Sequence, residues 1–121
     1  KAASNICSNQ ALCALTAAAY CSAMGPDGMR EVARQCYDKA HALAEGLSGI
    51  KGFELMYPNA PFFHEFVTKT PMPSEKVLGE LEERGILGGL PVEGGILWCA
   101  TERNTKAQID ALIAAVKEAA K

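Results

Sequence analysis

The clearest hydrophobic period in the chain runs from Met29 to Leu47. Met29, Val32, Ala33, Cys36, Tyr37, Ala40, Leu43, Ala44 and Leu47 recur at i, i+3, i+4, i+7 spacing. Arg30, Glu31, Arg34, Asp38 and Glu45 fill the opposite face, so the stretch predicts an amphipathic helix. Gly46, Ser48 and Gly49 are expected to stop it. Ahead of it, from about Ser4 to Met24, Ala, Leu and Cys dominate, with little polarity between Ala11 and Ala23. A helix apolar nearly all round is one that is buried or wedged between domains. Gly25-Pro26 separates the two helices, glycine as C-cap and proline opening the next.

The second half changes period. Phe53 to Tyr57 reads as a short strand, and Pro58-Asn59-Ala60-Pro61 as a turn. Phe62 to Thr70 reads as a second strand, with Phe62 and Phe66 on one face and Phe63 and Val67 on the other. Pro71-Met72-Pro73 breaks it. Ser74 is the expected N-cap of a short helix that turns Val77, Leu78 and Leu81 inward and ends at Gly85. Ile86-Leu87 is a short extended piece, flanked by glycine-rich turns at Gly88-Gly89-Leu90-Pro91 and Glu93-Gly94-Gly95. Ile96 to Thr101 is an apolar strand of the buried kind. Thr105 and Gln108 form a capping box for a last helix with Ile109, Leu112, Ile113 and Val116 inside. The order α-α-β-β-α-β-β-α predicts an α/β (α+β) domain: a small, mainly antiparallel sheet with helices on one side.

The 121 residues suit a single domain, 1–121, and are too few for a large enzyme with its own cofactor domain. A net charge of −2 gives no nucleic-acid footprint. No apolar run is long enough to span a membrane, and the start Lys1-Ala2-Ala3-Ser4-Asn5, with no apolar stretch after it, does not read as a signal peptide. A start without Met is expected of a piece cut from a longer protein, and equally of a processed chain. Five cysteines, with no Cys-x-x-Cys spacing, signal neither a disulfide framework nor a zinc site. They are read as reduced, small apolar residues of a cytoplasmic-type protein. Cys7 and Cys21, if on one helix, stand about 21 Å apart and cannot bridge.

Chemical candidates are few. His41 falls among polar helix positions and is expected to be exposed. His64 sits beside Glu65 in a strand, where neighbours face opposite ways and do not pair. The glycine pairs precede a strand rather than a helix, so they read as turns rather than a phosphate cradle. Ser4-Asn5 stands at the expected start of the first helix. Free N–H groups and the helix dipole there suit an anion, and plain helix capping accounts for the same residues. No lysine lies in an apolar motif suited to Schiff-base chemistry.

One string is more specific. Ala3-Ser4-Asn5-Ile6-Cys7-Ser8-Asn9-Gln10-Ala11-Leu12 resembles the Thr-Ser-Asn-Ile-Cys-Thr-x-Gln-x-Leu segment of the glycine cleavage P-proteins. Gly25-Pro26-Asp27-Gly28-Met29 resembles that family's helix junction. Phe62-Phe63-His64-Glu65-Phe66-Val67 resembles its Phe-x-Glu-Phe strand. Gly85-Ile86-Leu87-Gly88-Gly89-Leu90-Pro91 resembles its Gly-Ile-x-Gly-Gly turn. Trp98-Cys99-Ala100-Thr101-Glu102, with Thr105 and Ile109-Asp110, resembles its last strand and helix. The likeness runs over essentially the whole chain.

The resemblance implies the aspartate-aminotransferase-like fold type I of pyridoxal-phosphate enzymes. Residues 49–121 would be its small C-terminal α/β domain, and residues 1–48 would be linking helices. It implies the alpha-type subunit of a heterotetrameric, cytoplasmic glycine dehydrogenase (decarboxylating). Together with a beta-type subunit, such an enzyme decarboxylates glycine with pyridoxal phosphate. It then passes the aminomethyl group to the lipoyl arm of H-protein. The resemblance places the cofactor on the beta-type subunit, with Ser4 and Asn5 near its phosphate across the interface. Catalytic residues and metal ligands are not expected in this chain, and the fragment alone is expected to be inactive. Ala3 and Ser8 depart from the family's two threonines, so any role of the first hydroxyl is lost here. Two other readings stay open: the small domain of another fold type I enzyme, such as an aminotransferase or cysteine-desulfurase-like protein, and a non-catalytic α/β interaction module.

Overall fold

The structure, a computed structural model, describes residues 10–120. The expected start of the first helix therefore lies outside the described residues. Seven elements follow: α1 (Ala11–Ser48), β1 (Glu54–Leu55), β2 (Glu65–Lys69), α2 (Ser74–Glu83), β3 (Leu90–Val92), β4 (Gly95–Cys99) and α3 (Lys106–Ala119). The chain divides into two compact units, one ending at Glu31 and the other beginning at Val32.

Within the first unit, Gly25 adopts φ 63° and ψ 179°, which interrupts the helical conformation just before Pro26. Glycine tolerates positive φ without a Cβ clash, so the expected junction is a kink inside α1. Leu12, Leu15 and Tyr20 of this unit are 74%, 67% and 46% exposed. Among the described residues, the burial expected of so apolar a helix is thus not provided.

The second unit holds one core. Its sheet runs β1-β2-β4-β3, with every neighbouring pair antiparallel. β2 and β4 form its centre, pairing Glu65 with Cys99, Phe66 with Trp98, Val67 with Leu97 and Thr68 with Ile96. Alternation sends Phe66, Thr68, Ile96 and Trp98 to one buried face. The turns of α1 from Ala40 to Leu47, Val77 and Leu81 of α2, and Ile109 and Val116 of α3 join them in a single hydrophobic cluster. The helices therefore cover one side of the sheet, as the period of their apolar positions predicts. Trp98 Nε1 donates to Thr68 Oγ1 at 2.8 Å, so neither buried polar group is left without a partner.

Several local expectations change. Gly46 does not stop α1, which continues to Ser48. A Cβ at Gly46 would overlap Ile113, so this glycine lets α3 approach α1 closely. Ser74 is the first residue of α2 rather than its cap. Pro73 holds the cap position, and the Ser74 hydroxyl donates to the Gly95 carbonyl at 2.9 Å. The strand expected at Ile86-Leu87 is absent, and Leu87 is fully exposed. β3 instead occupies Leu90–Val92, inside the stretch read as a glycine turn. The reason is the lack of side chains just before it: a Cβ at Gly89 would overlap the Leu97 carbonyl, and bare glycine lets the chain run alongside β4. The capping box of α3 is as read, with Gln108 N donating to Thr105 Oγ1 and Thr105 N to Gln108 Oε1.

Two glycines give opposite expectations. A Cβ at Gly95 would overlap the Thr68 carbonyl oxygen, which belongs to the central strand pair and cannot yield. Gly95→Ala should lower the unfolding free energy of the full-length protein by about 1–3 kcal/mol. Gly79, inside α2, has nothing within 4 Å of the same added atom. Gly79→Ala should raise stability by about 0.5–1 kcal/mol through helix propensity. Denaturant midpoints of the two variants check both signs.

Candidate functional site

The loop from Gly85 to Gly89, the end of β4 and the first turns of α3 enclose a cavity of about 320 Å³. Leu43, Trp98, Ile109 and Leu112 give it an apolar wall. Its polar lining comes from Cys99, Asn104 and Gln108. Two of these already have structural work. Asn104 Oδ1 accepts the Thr101 N–H at 2.8 Å, and Gln108 Oε1 accepts the Thr105 N–H at 2.9 Å. The loop between β4 and α3 is further tied to α1. Lys39 Nζ donates to the Glu102 carbonyl at 2.6 Å, and the Cys36 thiol points at Glu102 Oε2 at 3.4 Å. Cys99 borders the cavity as well, and strand alternation sends its side chain to the face opposite Trp98.

Cys99 also belongs to a second grouping. Its cross-strand partner Glu65 stands directly opposite on the outer, helix-free face. His64 joins them: one donor atom from each of His64, Glu65 and Cys99 lies within 4.8 Å of the others. The expectation that His64 and Glu65 face opposite ways is overturned. β2 begins only at Glu65, and His64 sits in the bend before it, where strand alternation does not hold. The His64 carbonyl still accepts the Ala100 N–H at 3.1 Å, which anchors the bend beside β4. Partial burial, then the Glu65 carboxylate and Cys36, push the Cys99 thiol above the usual thiol range.

The other histidine is also placed differently from its expectation. His41 is half-buried, stacked between Tyr37 and Phe62 with ring centroids 3.8 Å and 4.0 Å away. Its Nδ1 lies 2.9 Å from the Tyr37 carbonyl oxygen. The partner ring comes from the segment before β2, so a helical wheel of α1 alone could not reveal it. Ser4 and Asn5, the residues singled out for a cofactor phosphate, lie outside the described residues. The site at Cys99 was missed because it needs the β2–β4 register, and nothing local to Cys99 signals it.

The lining of this cavity does not fit a pyridoxal-phosphate cradle of its own. No lysine or arginine among the described residues lines the cavity, and Lys39, Lys69 and Lys106 are engaged by Glu102, Glu54 and Asp110.

The fold defines the class. A phosphoserine aminotransferase from Cytophaga hutchinsonii aligns with 85% of this chain and 29% of its own, at a TM-score of 0.63 and 18% identity, and shares the fold alone. The sheet with helices on one face is thus the small-domain architecture of fold type I enzymes. The profile of the glycine cleavage system P-protein family matches residues 1–116, and the chain belongs to that family. The probable glycine dehydrogenase (decarboxylating) subunit 1 of Chlorobium limicola is 47% identical over 120 residues, covering 96% of this chain and 27% of the relative. That of Dictyoglomus turgidum is 44% identical over 128 residues, covering 100% of this chain and 28% of the relative. A crystal structure of glycine decarboxylase (P-protein) of the glycine cleavage system, in inhibitor-bound form, matches at a TM-score of 0.87 and 40% identity. It covers 96% of this chain and 28% of that one. The chain spans just over a quarter of the length of these relatives.

The raised Cys99 pKa means less thiolate at a given pH. Alkylation of Cys99 by iodoacetamide, in chelator-containing buffer, should accelerate only above the ordinary thiol range. Glu65→Gln removes a nearby negative charge, so it should lower that pKa and speed alkylation at fixed pH. Mass spectrometry of the Cys99 peptide reads both effects.

Proposed function

We propose that this chain is the C-terminal part of subunit 1 of a glycine dehydrogenase (decarboxylating). In this reading residues 49–121 form its small domain. Residues 1–48 are the linking helices, whose last turns also serve the small domain's core. With a beta-type subunit, the whole protein releases carbon dioxide from glycine and passes the aminomethyl group to the lipoyl arm of H-protein. The observation that carries this reading is the agreement of family and fold: residues 1–116 match the P-protein profile, and the glycine decarboxylase structure superposes at a TM-score of 0.87.

Pyridoxal phosphate, when bound, supplies the electron sink for decarboxylation, and in this reading the beta-type subunit holds it. This chain's contribution is to complete the interface. Ser4 and Asn5, at the start of the first helix, are proposed to meet the cofactor phosphate from across it. No helix among the described residues is long and apolar enough to cross a membrane. A cytoplasmic, heterotetrameric enzyme is the proposed setting.

The test is exchange of labelled carbon dioxide into glycine in the presence of H-protein. Exchange should require the full-length parent and its beta-type partner together, and this chain alone should give none. Exchange and bound pyridoxal phosphate from the parent without a partner would overturn the two-subunit reading. In the complete enzyme, Ser4→Ala with Asn5→Ala should weaken retention of pyridoxal phosphate, read as cofactor lost on dialysis. Unchanged retention would remove these two residues from the site.

A further inference from the structure

We propose that His64, Glu65 and Cys99 form a binding site for a borderline divalent transition-metal cation of the zinc type, on the helix-free face of the sheet where β2 and β4 meet. The site is independent of the reaction proposed above. Three observations carry it.

The first is placement. Glu65 and Cys99 are directly paired across the β2–β4 ladder, so their side chains leave the same face side by side. His64, freed from strand alternation by the bend before β2, turns to the same side. The backbone beneath it is fixed by the bond from Ala100 N to the His64 carbonyl. The three donor atoms lie within 4.8 Å of one another. Zinc bonds of about 2.0–2.3 Å place tetrahedral ligand atoms roughly 3.5 Å apart. Glu65 and Cys99 are exposed, so side-chain rotation alone closes that difference.

The second is availability. Among the described residues, no hydrogen bond or ion pair engages the His64 ring, the Glu65 carboxylate or the Cys99 thiol. On the same face, Lys69 is taken by Glu54 at 3.6 Å rather than by Glu65. Three neighbouring donors without partners stand in contrast to Asn104 and Gln108, whose acceptors are already used.

The third is chemistry. One imidazole, one carboxylate and one thiol suit zinc and its neighbours rather than magnesium or calcium, which take oxygen ligands. Three protein ligands leave a fourth position for water. On binding, the metal–sulfur bond replaces the S–H bond and the thiol proton leaves to solvent, so the cation's charge is met by a thiolate and a carboxylate. The bound cation would clasp the ends of the two central strands.

The experiment uses the full-length protein, stripped with chelator and titrated with cobalt(II) and then zinc(II). One equivalent of cobalt should give thiolate-to-metal charge transfer and four-coordinate visible bands, which zinc displaces. Cys99→Ser should abolish the charge-transfer band. His64→Gln and Glu65→Gln should each weaken binding by roughly tenfold or more. Absence of the thiolate band in the wild type would overturn the proposal. So would its persistence in Cys99→Ser, which would trace it to another cysteine, or unchanged affinity in both His64→Gln and Glu65→Gln. Should Cys99→Ser fail to fold, the exposed Glu65→Gln decides: weakened binding supports the site and unchanged affinity overturns it.

Discussion

The hydrogen bond from the Trp98 indole to the Thr68 hydroxyl is the point on which the second unit turns. Both side chains are almost completely buried, and they lie diagonally across the two central strands. An indole N–H or a hydroxyl left without a partner at that depth costs about 1–3 kcal/mol. Slipping β2 by one residue would turn Thr68 outward and Val67 inward, and would strand the indole. The bond therefore selects one register from those that an apolar strand could adopt. The indole also forms part of the wall of the 320 Å³ cavity, so the same residue fixes the register and shapes the cavity.

What lies on the far side of the sheet follows from that choice. With Phe66 opposite Trp98, Glu65 must stand opposite Cys99, and the donor cluster sits one step beyond the core. Core face and outer face are thus one decision. The loop after β4 is held separately, by Lys39 and Cys36 of α1 acting on Glu102 and by the capping box at Thr105. These contacts make the mouth of the cavity a fixed rim rather than a loose loop.

Much of this was legible in the sequence, and the failures have a common cause. The break at Gly25, the strands around Phe66 and Trp98 and the capping box of α3 are local patterns, and local patterns were enough; the apolar period of α1 reaches the core only from Cys36 to Leu47, while Met29, Ala33 and Tyr37 of the same expected face are exposed. Ser74, His41, Gly46 and Gly89 were misread because each is defined by a partner distant in the chain: the Gly95 carbonyl, the Phe62 ring, Ile113 and the Leu97 carbonyl. His64 was misread because the strand expected from Phe62 begins only at Glu65, which leaves His64 in the bend before it. The family was legible because its most specific string, Ala3 to Leu12, is contiguous. Where that string sits in space was not, and Ser4 and Asn5 stand among residues whose placement is not described.

The bare backbone at Gly89 and Gly95 also constrains how this domain can change over generations. Every single-nucleotide change of a glycine codon that alters the amino acid installs at least a methyl group. At these two positions that group meets a carbonyl oxygen of a neighbouring central strand. No gradual path through slightly larger residues exists, because the smallest step already overlaps backbone. Drift in this sheet is therefore channelled to its outer face and to positions such as Gly79, while the two close approaches stay fixed as long as the strand pairing itself is kept.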